Sequence, residues 1–396
     1  MEKIIKFGEW KSFKDYEPND NLEYNINGEN LKIILKGKKY LSVQFEKTAQ
    51  GILPDTVYEV TYNLKVDSNK MFSRVMYGWY DKSGEVLVKG YVKSGDKIIS
   101  PEGAQSLKIS LNVHSYEYQE CEINELKVSE IGKYSPKFVT LSTIALKYPI
   151  YPEKKPKEDN LSETVEKIDE LCENEHPDLI VLTETFYTRK CQLPLKLACL
   201  PEDSEPLNVI REKAKQYKTH IVCSYHEVDD GVFYNTGYLI GRNGEILGKY
   251  RKTHLTMAEL QSGMAPGEEI AVFDTDIGKI GIAICWDIFF PELVRKMQKM
   301  GVDIICNPTA GYRESRIYER ARESGAYIIV STVTDFKDSA IFNPFGEKLA
   351  DASEHNGYAV ATVDINKPHY VFWQSYPTRT SAKNIFLNEA RWDLYI

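Results

Sequence analysis

GKIGIAICWDIFFPEL, residues 278–293, begins with the pattern of a strand and ends with that of a helix. Ile280, Ile282 and Ile284 alternate with Gly281, Ala283 and Cys285. That is the two-residue period of a strand, so the isoleucines share one face and the cysteine closes the other. Trp286 and Asp287 end the alternation. Pro291 then suits the first turn of a helix over PELVRKMQKM, because the N–H that proline lacks has no helical partner there. Cys285 therefore stands on a strand-to-helix elbow, close to a helix N-terminus whose partial positive charge favours a thiolate. A cysteine that closes a strand is also an ordinary small core residue, and this segment alone leaves both readings open.

On either side of the elbow, strands alternate with helices. Downstream come the strand VDIICNP, a helix near residues 313–324 and the strand AYIIVSTV. Upstream, FVTLSTIAL has a strand pattern, and NLSETVEKIDEL places Leu161, Val165, Ile168 and Leu171 on one helical face behind a cap at Asp159 or Asn160. DLIVLTE is a strand, a helix lies near residues 206–217, and HIVCSYHEV is a strand. Two further strands meet at Asn243-Gly244, a two-residue hairpin signal. Strands without polar alternation belong to a sheet covered on its face, which implies a layered α/β domain.

The first third has a different pattern. YEVTYNLKV alternates Tyr58, Val60, Tyr62, Leu64 and Val66 with polar residues, and SLKISLNV does the same with Leu107, Ile109, Leu111 and Val113. DKSG at residues 81–84 marks a hairpin turn, and no segment keeps a helical period. Short strands at regular spacing imply an antiparallel β-sandwich. The polar, Gly- and Pro-marked stretch SEIGKYSPKF puts the boundary near Tyr134, dividing the chain into a sandwich domain, 1–134, and an α/β domain, 135–396. With 396 residues, two domains are also the size expectation.

Hydrophobic residues make up 42% and charged residues 27%, as in soluble globular proteins rather than disordered or fibrous ones. The formal net charge is -8 with no dense Lys/Arg block, which argues against a nucleic acid or an anionic membrane as the main partner and for a small molecule. The N-terminal segment lacks the apolar core of a signal peptide, and no run of 18 apolar residues is present, so a cytoplasmic location is expected. Seven cysteines without a C-x-x-C pair suggest neither a disulfide framework nor a zinc site.

Two more segments place polar groups where packing does not require them. In PDLIVLTETF, Glu184 follows an apolar strand at the end where α/β sites form; a carboxylate there is either solvated or partly buried with a role. GKYRKTHLTMAEL gathers Lys249, Arg251, Lys252 and His254, a cluster that by itself is as consistent with a solvated loop as with a site.

Glu184, Lys252 and Cys285, in this order and in these settings, resemble the Glu-Lys-Cys triad of the nitrilase, or carbon-nitrogen hydrolase, superfamily. The resemblance covers roughly residues 137–380. It rests on DLIVLTE, YRKTHL and GIAICWDIFFPELVR, supported by AELQSGMAPGEE, NPTA, RARESGAYIIVS, NPFGE and YAVATVDI. It implies an αββα sandwich in which Cys285 attacks an amide carbonyl, Glu184 serves as base and Lys252 supplies positive charge. By the same resemblance, Glu259 holds Lys252 and orients the substrate, with a loop carboxylate in water as the alternative; the Trp286 N–H helps bind the oxyanion; and Trp286 and Tyr187 border the acyl pocket, with simple packing beside a strand end as the alternative. Neither a metal nor an organic cofactor is implied, and a homodimer or higher homo-oligomer is.

Thr183 stands where many members have proline, and SAIFNP lacks a glycine often found before its serine; neither change removes a catalytic atom. CWD followed by FPE is closer to the amidase and carbamoylase branches than to true nitrilases, which favours an amide or N-carbamoyl substrate. The alternatives are acyl transfer through the same thioester, or an inert scaffold whose sandwich does the recognising. The first third resembles carbohydrate-binding and galactose-binding-like jelly rolls in its strand pattern, with Trp79, Tyr80 and Tyr91 as a candidate sugar-stacking platform and core packing as the alternative. The segment from residue 386 to the C-terminus, with Trp392 and Tyr395, is a candidate to cross a subunit interface or to pack on its own subunit.

Overall fold

The structure, a computed structural model, describes residues 3–12, 22–36, 41–66, 72–115, 118–146, 156–333, 339–353, 357–374 and 376–390. Trp392 and Tyr395 lie outside them. The chain separates into two compact units, Met1–Ser135 with Tyr370–Ile396, and Pro136–His369.

The first unit contains two sheets. One orders Leu22–Asn27, Asn30–Leu35, Gln119–Lys133, Thr56–Val66 and Asp96–Ile99, with Lys3–Ile4 also pairing to Gln119–Lys133. The other orders Lys11–Ser12, Leu41–Gln50, Ser106–Ser115, Phe72–Tyr80, Val86–Tyr91, Thr378–Ser381 and Tyr370–Trp373. Alternation turns Leu31, Ile33, Phe45, Tyr58, Trp79, Leu107 and Ile109 into one buried cluster. The same alternation breaks up the aromatic platform: Trp79 is wholly buried, while Tyr80 lies under the Lys108 amine at 4.7 Å and Tyr91 under the Arg74 guanidinium at 5.2 Å. Consecutive residues of a strand cannot share a face.

The α/β domain expected over 135–396 stops short of the C-terminus. Tyr370–Trp373 and Thr378–Ser381 form an antiparallel hairpin, and Arg379 pairs in parallel with Val88 of the sandwich. A four-residue strand carries little periodic information, which is why these segments escape a pattern search.

The second unit is a four-layer αββα arrangement. One sheet orders Ile246–Arg251, Val232–Ile240, His220–Asp229, Leu179–Val181, Phe138–Ile144 and Tyr358–Asp364; the other orders Val272–Thr275, Gly278–Ile282, Ile304–Pro308, Tyr327–Ser331, Ala340–Phe342 and Lys348–Asp351. Val181, Val222, Leu239 and Tyr250 from the first sheet join Ile282, Ile304 and Cys306 from the second in a shared core. The sheets approach closely at Gly237, where a Cβ would lie 2.8 Å from Ile282 Cγ2. Lys157–Glu175 and Glu205–Tyr217 cover the outer face of the first sheet through Ile168, Leu171, Leu207 and Ile210. Pro291–Lys299 covers the other sheet, where Met297 Sδ would be 2.9 Å from a Cβ at Gly281.

Asn160 does not cap the first of these helices, which starts at Lys157 after Pro156. It is buried, and its Nδ2 donates to the carbonyls of Tyr187 and Arg189, both at 2.9 Å. That side chain fastens the loop that follows Glu184.

Candidate active site

Two strand ends of the first sheet, a short helix and one strand end of the second sheet supply the site. Leu179–Val181 delivers Glu184, which is buried just beyond the strand in a turn where Thr185 takes a positive φ of 48°. Ile246–Arg251 delivers Lys252, also buried. Its Nζ donates to Glu184 Oε1 at 3.1 Å and to both oxygens of Glu259 at 2.9 Å.

Glu259 owes its position to a helix start. Thr256 caps Met257–Ser262, and the Glu259 side chain accepts from the Thr256 N–H at 2.8 Å, a reciprocal capping box. One glutamate thus serves a cap and a lysine together. Burial alone would raise the pKa of Glu259, but Lys252 and Asn235 hold it below the ordinary carboxylate value. Burial likewise opposes the charge on Lys252, yet Glu184, Cys285 and Glu259 more than restore it and keep the amine protonated.

Cys285 follows Gly278–Ile282 and opens a 3₁₀ turn, Cys285–Phe289, with φ of +46°. That left-handed region is uncommon for a non-glycine residue, and here it turns the chain from the strand into the elbow. Of the seven cysteines, six are buried and Cys285 is partly exposed. The helix begins only at Pro291, so the 3₁₀ turn separates the thiol from the helix N-terminus that was expected to favour a thiolate. Burial, and after it the charge of Glu184, pushes the thiol up to about 11, while Lys252 and hydrogen bonding from Thr309 and Ala310 act the other way.

Trp286 is 39% exposed, with its ring 4.7 Å from Phe289 and 5.9 Å from Phe290 beside the elbow. Tyr187 goes elsewhere. It is packed in the cluster beneath the Lys157–Glu175 helix, its ring 6.4 Å from Phe186 and under Lys157 at 5.6 Å, so it does not join the acidic cluster. The turn at residues 182–185 redirects the chain and separates the two side chains.

Several residues that the motifs did not single out complete the arrangement. Asn235 Nδ2 donates to Glu184 Oε1 at 3.0 Å and to Glu259 Oε1 at 2.9 Å, and its Oδ1 accepts from Ser224 Oγ at 3.0 Å. A single amide thereby fixes both carboxylates. Its signal in the sequence is a buried Asn-Thr pair inside the run FYNTGYLI. Asp287 is fully buried and accepts from the backbone N–H groups of Ile284 and His254 and from the Tyr250 hydroxyl, each at 2.9 Å. It ties the segment carrying Lys252 to the elbow carrying Cys285. Thr183 Oγ1 donates to the Thr309 carbonyl at 3.3 Å, linking the glutamate turn to the loop beside the thiol. His226 bonds Thr188 through Nδ1 at 2.9 Å, and burial pushes its pKa down to about 4.

Among the described residues no group of three or more His, Cys, Asp or Glu side chains is arranged to hold a metal ion, and the cationic position between the two glutamates is filled by Lys252. None of the described helices is long and apolar enough to cross a membrane. An amine flanked by two carboxylates, beside the thiol of Cys285 on a left-handed elbow, has the elements of acid, base and nucleophile within one cluster.

The carbon-nitrogen hydrolase family matches residues 145–368. The chain belongs to that family. It is an enzyme of C–N bonds other than peptide bonds. The chain is 29% identical over 236 residues to Nitrilase homolog 2 of Dictyostelium discoideum, covering 53% of this chain and 72% of that one. It is 28% identical over 188 residues to Omega-amidase NIT2 of Homo sapiens, covering 41% and 68%. Among solved structures, Saccharomyces cerevisiae Nit3, a member of branch 10 of the nitrilase superfamily, superposes with a TM-score of 0.51 at 23% identity, covering 58% of this chain and 90% of that one. These likenesses place the hydrolase fold in the second unit.

Proposed function

We propose that this carbon-nitrogen hydrolase cleaves a small linear amide or an N-carbamoyl compound through a thioester on Cys285. The observation that carries the reading is the placement of Lys252 Nζ between Glu184 at 3.1 Å and Glu259 at 2.9 Å, beside the thiol of Cys285. Similarity to a protein named an omega-amidase supports an amide rather than a nitrile.

Glu184 accepts the thiol proton as sulfur attacks the carbonyl carbon. The carbonyl π electrons move to oxygen, and Lys252 with the Trp286 N–H stabilises that oxyanion. Glu184 returns the proton to the departing nitrogen as the C–N bond breaks, leaving a thioester and free ammonia or amine. Water then adds to the thioester, giving its proton to Glu184, and the acid leaves as the thiol is restored. Glu259 holds Lys252 throughout. Burial of the thiol makes attack depend on proton transfer within the complex rather than on a standing thiolate. Trp286 borders the entrance, and Tyr187 has no part in the acyl pocket.

The test is intact-protein mass spectrometry after brief exposure to amides, N-carbamoyl compounds and nitriles, with released ammonia assayed in parallel. An acyl adduct present in the wild type and absent in Cys285→Ala is expected, and its mass identifies the acyl group. Turnover that survives Cys285→Ala would overturn the thioester. Assembly as a homodimer or larger homo-oligomer belongs to the same proposal, and light scattering on the purified chain checks it.

A further inference from the structure

The two oxygens of Glu184 stand in different surroundings. Oε1 accepts two hydrogen bonds, from Lys252 at 3.1 Å and Asn235 at 3.0 Å. Oε2 faces Arg189, whose Nη1 is 3.7 Å away, within ion-pair range but beyond hydrogen-bond length. The side chains are 7% and 16% exposed, so solvent screens this pair far less than an ordinary surface salt bridge.

Arg189 is held from its backbone. Its N–H donates to the Thr185 carbonyl at 3.0 Å, and its own carbonyl accepts from buried Asn160 at 2.9 Å. Its neighbour Thr188 is bonded to His226 at 2.9 Å. The turn thus delivers a guanidinium to one carboxylate oxygen. The charges make its purpose clearer. Glu184 and Glu259 carry two negative charges and Lys252 one positive, so the cluster without Arg189 has a surplus negative charge beside the thiol.

We propose that Arg189 is a positioning residue for the hydrolysis, placing its positive charge beside Oε2 of Glu184, the acceptor of the thiol proton. The inference rests on the role given to Glu184 above. Once Oε2 is protonated, Arg189 loses its ionic partner and favours release of the proton to the departing nitrogen. The charged or titratable groups around Glu184 are Lys252, Arg189, Glu259, Cys285 and His226. The two cations favour the carboxylate, Glu259 opposes it, and His226 is neutral above about 4. Removing Arg189 therefore takes away a positive charge beside the proton acceptor, and the acid limb of kcat/KM is expected to move to higher pH.

The experiment compares pH profiles of ammonia release for the wild type, Arg189→Met and Arg189→Lys. The acid limb is expected to move up by about one pH unit in Arg189→Met, with most of the shift reversed in Arg189→Lys. Rates at each pH are divided by the folded fraction measured by circular dichroism at that pH, so that acid unfolding of a destabilised variant is not read as a shifted limb. Arg189 also lowers the pKa of His226, so the pair is repeated in a His226→Asn background, where the shift should persist. An unmoved limb, a shift that disappears with His226→Asn, or an effect confined to the KM of carboxylate-bearing amides would overturn the proposal. Glu184→Gln tests the underlying reading separately: full turnover in that variant removes Glu184 as the base whatever Arg189 does.

Discussion

Two buried ion clusters occupy opposite faces of one meander, the strands His220–Asp229, Val232–Ile240 and Ile246–Arg251. On the outer face Glu227 accepts from Lys249 at 2.9 Å, Arg251 at 2.9 Å, Thr236 at 2.7 Å and Tyr238 at 3.0 Å. On the inner face Ser224, Asn235 and Lys252 meet Glu184 and Glu259. The outer cluster gives one buried carboxylate two hydroxyl donors and two cations, which Glu202 and Asp229 also engage; the inner one sets two carboxylates around one amine, with Arg189 3.7 Å from Glu184. The first surrounds its buried carboxylate with four donors. The second holds its carboxylates and cations next to a thiol. Adjacent residues, Arg251 and Lys252, therefore have unlike tasks because the strand period turns them to different faces.

The largest expected effect belongs to the inner face. Glu184→Gln preserves shape but cannot accept a proton, and ammonia release should fall by about 10³-fold. Cys285→Ala should abolish acylation. Lys249→Met on the outer face should leave turnover per folded molecule unchanged; a comparable loss there would break the comparison.

Alkylation of Cys285 sharpens it. With the thiol pushed up to about 11, its reaction with iodoacetamide should rise by about tenfold per pH unit, or about 100-fold between pH 7 and 9, following the thiolate fraction. A plateau near neutrality would mean a standing thiolate, and hence that the two glutamates do not consume the charge of Lys252. Cys285 should also react ahead of the six buried cysteines.

The outer cluster should report in stability instead. Replacing Glu227 with Gln leaves two cations without their buried partner and should cost about 3 kcal/mol, measured by urea unfolding. Burial opposes the charge on Glu227, but Arg251, Lys249 and Thr236 hold its pKa down to about 2. A depressed carboxylate stabilises the fold above its unfolded pKa and loses that contribution as pH falls through the folded one. The gap between wild type and Glu227→Gln should therefore close from about pH 4.5 towards pH 2.

Much of this was legible because two kinds of regularity carry it. The apolar runs around Val181, Val222, Ile304 and Ile328 announce covered strands, and Glu184, Lys252 and Cys285 stand at their ends in motifs that the family resemblance joins. Glu259 was likewise within a motif. What escaped were residues whose task depends on a fold-back. Asn235 has the appearance of an ordinary strand residue until the sheet sets it between two carboxylates, and Asn160 that of a helix cap until its side chain reaches the next loop. Tyr187 was misplaced because nearness to Glu184 in sequence does not survive the turn at Thr185. The hairpin at residues 370–381 offers too few residues to show a period, and its partner strand lies nearly 300 residues earlier in the chain.

Asp287 lies between the two cases, and its test has the smallest expected effect. Like Glu227 it is a buried carboxylate surrounded by donors, including His254 Nδ1 at 2.9 Å, and like Glu184 it lies within reach of the reacting segments. Its bonds to Ile284 on one side and to Tyr250 and His254 on the other span the joint between the lysine strand and the cysteine elbow. Asp287→Asn keeps the volume but puts an amide donor where an oxygen accepts. If the joint sets the distance between Lys252 and Cys285, kcat and the alkylation rate of Cys285 should each fall by about tenfold, with KM little changed, since a small misplacement of a reacting group is costly. If the variant only unfolds more readily, as Glu227→Gln should, then Asp287 belongs with the outer cluster, and the elbow is positioned by its own backbone.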